Sequence, residues 1–251
     1  MVIATRYAVA VLNREAPWDQ WPVADYLAEN YRRLHDADIA VIDHHSAYYR
    51  RLEPDSIGES LEFGAGPNLY PLMLASGASR RIHAVERSAA NVAYLRGQLT
   101  DGPDETWRPF WDRCRAQNPT LPATLRDALA KVHPAQGDAR EATPDRYGLA
   151  SMNFVAESAT EDATEFAALC LAFIRSVRPG GHLVASFMEN MGRYRIAGGR
   201  DWPGYPVDAD SVRAVFAPHT EALAVDRVDA DPDLPDWGYT GMVLLTARRS
   251  T

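Results

Sequence analysis

The sequence predicts an α/β fold: a seven-stranded, mostly parallel sheet with an antiparallel C-terminal hairpin, helices on both faces and an N-terminal helical cap. Three observations lead there. From about residue 60, apolar strand-length runs alternate with helical periodicities, the pattern of a parallel sheet covered by helices. The nine residues Glu62-Phe-Gly-Ala-Gly-Pro-Asn-Leu-Tyr70 read as a buried strand entering a glycine turn that opens a helix. Residues 223–228 and 241–247 are strand-like runs joined by an acidic loop with prolines, which suits a closing hairpin. The whole chain, 1–251, is read as one domain, with the cap over 1–55 and the core over 56–251.

In order, the cap carries one helix through Tyr26-Leu-Ala-Glu-Asn-Tyr31 and another over 44–51. The first strand ends at Phe63, a helix over 68–78 follows, and the second strand is 81–86, with a further helix over 89–98. Residues 107–135 hold Trp107, Phe110, Trp111 and the amphipathic run 125–132, and are read as an ordered helical insertion. The third strand is short and ends near Asp138, and the fourth is 150–156. The helix over 164–177 is closed by Arg178-Pro-Gly-Gly181 before the fifth strand, 182–187.

Composition narrows the function classes. With 46% apolar and 24% charged residues the chain resembles an ordinary globular protein, and no apolar run approaches the ~18 residues of a membrane span. The run 7–12 is also too short for a secretory signal, so a cytoplasmic location is expected. Acids exceed bases by 34 to 26, a formal charge of −8, and the two signs are interleaved, which argues against a nucleic-acid partner. Cys114 and Cys170 are far apart and outside any C-x-x-C spacing, as expected of reduced packing residues. The pair His44-His45 has no H-x-x-x-H spacing, and helical neighbours point in different directions, so no metal site is expected.

The glycine turn carries the chemistry. Gly64 and Gly66 let the backbone turn sharply and approach a ligand, and the following helix offers unpaired N–H groups. Glu86 ends the next strand at roughly the ~20-residue offset of a ribose-binding acid, so the turn and Glu86 together point to an adenosine-containing cofactor. A dinucleotide would want a third glycine where this chain has Leu69.

This order of features resembles the class I S-adenosylmethionine-dependent methyltransferases, whose Rossmann-like fold the resemblance implies. Residues 21–249 resemble, more narrowly, the nicotinamide, phenylethanolamine and thioether methyltransferase family. Its G-S-G-P-x-x-Y turn is echoed by Gly64-Ala-Gly-Pro-Asn-Leu-Tyr70, and its D-Y-L-x-x-x-Y element by Asp25-Tyr-Leu-Ala-Glu-Asn-Tyr31. The resemblance implies that Tyr26 and Tyr31 close over the cofactor, and that Gly64, Gly66 and Tyr70 shape its methionine end. Glu86 would take the ribose hydroxyls, with Ser88 and Asn91 near ribose and adenine and Asp138 and Ala139 flanking the adenine. Asn153 stands where relatives place a cofactor-contacting Thr.

On the acceptor side, the resemblance makes Glu157 the acid facing an amine and Tyr194 an aromatic wall. Glu157 has a second reading, a helix N-terminal acid favoured by the dipole. Phe154, Trp202 and Trp237 are further candidates for the acceptor pocket, and both tryptophans also suit plain packing. Where nicotinamide-methylating relatives place an Asp after the fifth strand, this chain has Phe187. The expected reaction is N-methylation of a small amine or heteroaromatic nitrogen by in-line displacement, with S-adenosylhomocysteine as product. Two alternatives share the same cofactor site: intramolecular cyclisation of S-adenosylmethionine to azetidine-2-carboxylate and methylthioadenosine, and non-catalytic cofactor binding.

Overall fold

The computed structural model describes residues 10–251, so residues 7–9 of the apolar run 7–12 lie outside the described residues. The cap is two helices, α1 (Val23–Asn30) and α2 (Asp36–Tyr49). The core then runs β1 (Ile57–Phe63), α3 (Tyr70–Ala75), β2 (Ser79–Glu86), α4 (Ala89–Thr100), α5 (Arg108–Gln117), α6 (Leu125–Leu129) and β3 (Val132–Gln136). It continues through β4 (Tyr147–Asn153), α7 (Ala163–Ser176), β5 (Val177–Glu189), β6 (Tyr194–Arg195), β7 (Asp201–Trp202), α8 (Ala209–Phe216), β8 (Thr220–Asp229) and β9 (Gly241–Arg249).

The sheet has the order β3-β2-β1-β4-β5-β9-β8. Strands β1 to β5 pair in parallel and β9 joins β5 and β8 antiparallel, as the sequence predicts. Chain order reverses between β1 and β4, where open α/β sheets place ligands at the carboxyl ends of the strands. The central strands are buried on both faces, and β4 has no exposed residue. One apolar cluster, with Val41, Ile42, Leu72 and Phe110, packs under α2, α3 and α5. Another, with Phe166, Phe173, Val212 and Phe216, packs under α7 and α8 on the opposite face.

Local chemistry sets the element ends. Ser88 caps α4 by accepting from Asn91 N–H, and Asp162 caps α7 by accepting from Glu165 N–H at 2.8 Å. The expected helix over 68–78 shortens to α3, and the run 125–132 is helical only to Leu129 because Val132 pairs with Ile82. The insertion read over 107–135 therefore overlaps β3. The Arg178-Pro-Gly-Gly181 segment belongs to β5, with the ladder to β4 shifting register between Tyr147 and Leu149. β4 both begins and ends three residues earlier than expected, and Phe154 leaves it with φ +58°.

The first described residues cross back over α7. Val11 N–H donates to Glu161 Oε2 at 3.0 Å, Asn13 N–H to Glu165 Oε2 at 2.8 Å, and Trp18 Nε1–H to the Asn13 carbonyl at 2.8 Å. The two-residue strands β6 and β7 are too short for the sequence to announce, and α8, capped by Asp208 accepting from Ser211 N–H, is not among the predicted elements.

Candidate active site

One cavity opens at the carboxyl ends of β1, β2 and β4, between the sheet and the cap. Its floor is the turn after β1. Gly64 has φ +70°, and a Cβ there would lie 2.6 Å from Val155 Cγ1, so the position demands glycine. Gly66 has φ +55°, and a Cβ there would meet nothing within 4 Å, so its missing side chain leaves open space beside the backbone. These are the properties of a turn that lets a ligand approach the main chain.

Glu86 braces this turn. Its Oε2 accepts from Gly66 N–H at 2.8 Å, and its Oε1 from Ser88 N–H at 2.7 Å and Asn91 Nδ2 at 3.3 Å. Burial raises its pKa, opposed by those donors. Glu86, Asn91, Asp138 and Ala139 all line the same end of the cavity. Burial acts to raise the Asp138 carboxyl, but Arg140, with Arg87, outweighs it and holds the group below the usual carboxylate range. Ser88 is fully buried and does not line the cavity, because its hydroxyl is spent capping α4.

Tyr26 and Tyr31 line the facing wall, with their hydroxyls 3.4 Å apart and Asn68 Nδ2 donating to the Tyr31 hydroxyl at 3.0 Å. Burial pushes the Tyr26 hydroxyl up to about 12, so both phenols stay neutral at ordinary pH. Tyr70 does not reach the cavity: it is fully buried behind Tyr31 and stacks on Phe110 with planes 3° apart. Asn153 lines the cavity while its Nδ2 donates to Glu62 at 3.1 Å and its Oδ1 accepts from Ser186 Oγ at 2.9 Å. Behind it, His45 Nε2 lies 2.9 Å from Ser186 Oγ and 3.2 Å from Asn153 Oδ1. The two histidines meet, contrary to the expectation that they diverge: their Nδ1 atoms are 3.0 Å apart, and His44 Nε2 is 3.2 Å from Asp226. Among the described residues no three His, Cys, Asp or Glu side chains come together as a metal site.

Phe154, Tyr194 and Trp237 line the mouth, with the Tyr194 and Trp237 ring centroids 5.3 Å apart. Trp202 lies one layer behind: it is 1% exposed, stacks on Trp18 and meets Trp21 edge-on at 4.7 Å. Glu157 is also behind the wall. It is fully buried, its Oε1 accepts from Met188 N–H at 2.9 Å, and its Oε2 has no partner among the described residues. Phe154 N–H donates to the Ser186 carbonyl at the end of the β4–β5 ladder, and β4 then turns away. The next β5 donor on that side, Met188 N–H, thus faces no strand, and the Glu157 carboxyl takes the missing carbonyl's place. Burial pushes Glu157 up to about 8. It stands in a turn and not at a helix start, so the dipole reading does not apply.

The sequence reading missed Trp18, Trp21, Asn68, Asp38 and Met188 as lining residues. The tryptophans had a signal, two indoles three residues apart just before a helix. Asp38 had none, since an acid in the first turn of a helix reads as a cap.

Fold and cavity together define an α/β protein whose glycine turn and buried acid line one cavity at the sheet's switch point. The chain belongs to the NNMT/PNMT/TEMT family, whose model matches residues 10–249, and it is an S-adenosylmethionine-dependent methyltransferase. The fold is similar to that of a SAM-dependent methyltransferase from Methanosarcina mazei, at TM-score 0.55 and 12% identity over 81% of this chain and 97% of the other. It is also similar to DhpI in a complex with SAM and HEP, at TM-score 0.50 and 16% identity over 94% and 92% of the two chains. The [4+2]-cyclase SpnF superposes at TM-score 0.52 and 15% identity over 83% and 81%. At such identities these likenesses establish the fold. A sequence comparison with curated proteins gave no significant match. No helix among the described residues is long and apolar enough to cross a membrane.

Proposed function

We propose that the protein N-methylates a small amine or heteroaromatic nitrogen. One observation carries this reading: the glycine turn with Glu86 and Asp138, and the aromatic mouth of Trp21, Tyr194 and Trp237, line a single cavity. Cofactor and acceptor then meet with no second chamber between them. Bound S-adenosylmethionine supplies an electrophilic sulfonium methyl group. The chain's own residues hold, align and dry the site. Gly64 and Gly66 admit close backbone approach, and Glu86 and Asn91 present polar groups at the ribose end. The neutral phenol faces of Tyr26 and Tyr31 attract a cation by about 1–2 kcal/mol when desolvated. Alignment of well-oriented reactants contributes ~7–11 kcal/mol, so transfer to a neutral nitrogen needs no strong base.

In this reading Tyr194, Phe154 and Trp237 contact the acceptor, Trp202 backs the wall, and Glu157 acts as a positioning residue through Met188. A cytoplasmic setting is part of the proposal and is supported by two buried cysteines that stand unpaired.

The test is mass spectrometry of the protein with S-adenosylmethionine, with and without a panel of small amines, heteroaromatic nitrogens and thiols. S-adenosylhomocysteine formed only with a nitrogen acceptor supports the proposal. Methylthioadenosine and a cyclic amino acid formed without acceptor would replace it by self-cyclisation, and tight binding without turnover would replace it by a binding role.

A further inference from the structure

Asp38 has no part in the cofactor cradle described above. It lies in the first turn of α2, lines the cavity and is only 7% exposed. Its Oδ2 accepts one long hydrogen bond, 3.3 Å from His35 N–H, and among the described residues its other oxygen has no partner. The nearby Asp231 differs. It accepts from Ala37 N–H at 3.2 Å and Asp233 N–H at 2.9 Å and lies 4.0 Å from His35 Nδ1, so its charge is satisfied within the protein. Burial acts to raise Asp231, but those donors and His35 outweigh it and hold it low, whereas burial, with Asp231 adding, pushes Asp38 up to about 8.

The surroundings of Asp38 suit one kind of ligand group. No Lys or Arg among the described residues pairs with it to stabilise its charged form. Tyr26, Tyr31, Asn30 and Asn68 line the same wall, offering neutral hydroxyls, amides and phenol faces. A buried carboxyl among aromatic faces, with one oxygen free, complements a cation that also donates hydrogen bonds. A single carboxyl among aromatics is too poor in oxygen ligands for a metal.

We propose that Asp38 binds a ligand ammonium group inside this cavity. That group has two sources, the α-ammonium of the cofactor's methionine part or the amine of the acceptor; the second rests on the N-methylation reading. The competing role for Asp38 is helix capping, because an acid at this position bonds the cap N–H. Asp38→Asn keeps the size and the acceptor for His35 N–H while removing the charge, so it separates the two.

The experiment is calorimetric titration of the wild type and Asp38→Asn. The probes are S-adenosylhomocysteine, methylthioadenosine, which lacks the amino-acid part, and, on S-adenosylhomocysteine-saturated protein, benzylamine against benzyl alcohol. Asp38→Asn is expected to weaken one ammonium-bearing probe about 10- to 100-fold, with its partner lacking the ammonium unchanged. Loss confined to S-adenosylhomocysteine assigns the group to the cofactor, and loss confined to benzylamine assigns it to the acceptor. Unchanged affinity for every probe, or equal weakening within both pairs, overturns the proposal. Methyl transfer to the amine panel is measured separately, so a failed N-methylation reading leaves the cofactor arm intact and identifiable.

Discussion

Glu157 and Asp38 are carboxyls that burial pushes to about 8, but one lies behind the cavity wall and the other on it. Glu157 completes the end of a ladder, so Glu157→Gln should not lower stability, because the amide oxygen still accepts from Met188 N–H. Glu157→Ala should be about 1–3 kcal/mol less stable than Glu157→Gln by leaving that buried donor unpaired. Urea denaturation at pH 7 checks both, and equal loss in the two variants would contradict the ladder role. Gly64→Ala should be worse placed than either, since its Cβ would press on Val155 at 2.6 Å with φ +70°. A loss of S-adenosylhomocysteine binding together with about 1–3 kcal/mol of stability is expected there, and unaltered binding would count against the turn as the cofactor floor. At this scale the sequence revealed Gly64, Gly66 and Glu86 because their types are demanded by backbone geometry. It could not reveal that Glu157 faces Met188, since that depends on where β4 turns away.

Across elements, a buried polar chain ties α2 to β5, β4 and β1: His44, His45, Ser186, Asn153 and Glu62. The amide of Asn153 gives its nitrogen to Glu62, so its oxygen faces His45, whose Nε2 must carry the proton. Burial, with His44 adding, pushes His45 down to about 3. Imidazole nitrogen NMR should therefore find His45 neutral and Nε2-protonated down to about pH 3; titration near 6.5 would refute this chain. His45→Ala should lower stability by about 1–3 kcal/mol and weaken S-adenosylhomocysteine, because Asn153 would lose part of what orients it. Denaturation and titration of the one variant read both effects. The histidine pair was visible in the sequence, but the rule that helical neighbours diverge concerns Cβ directions. Two imidazoles are long enough to meet when one is pulled inward by Ser186.

For the whole molecule, three buried carboxyls set an unusual pH response. Asp38 and Glu157 are pushed to about 8 and Glu62 to about 7, all chiefly by burial. Between ordinary carboxylate values and these, each group is protonated when folded and ionised when unfolded. The folded chain then holds more protons, and stability falls as pH rises. The ligand-free protein should lose about 4–5 kcal/mol between pH 6.5 and 8.5, at up to ~1.4 kcal/mol per pH unit for each fully protonated group. Denaturant titrations at the two pH values measure it, and equal or greater stability at pH 8.5 would show that these carboxyls are ionised in the fold. The sheet, its crossover order and its closing hairpin were legible because apolar periodicity and turn residues are local signals. The cavity's outer wall was not, since Trp18 and Trp21 are placed by contacts that span most of the chain. Those contacts, Val11 and Asn13 on Glu161 and Glu165 at separations of 150 and 152 residues, also bear on the order of folding. Such distant pairings close large loops and come late, after the local helices and neighbouring strands. The outer wall of the cavity is thus expected to close only once the two ends of the chain segment it joins have been brought together.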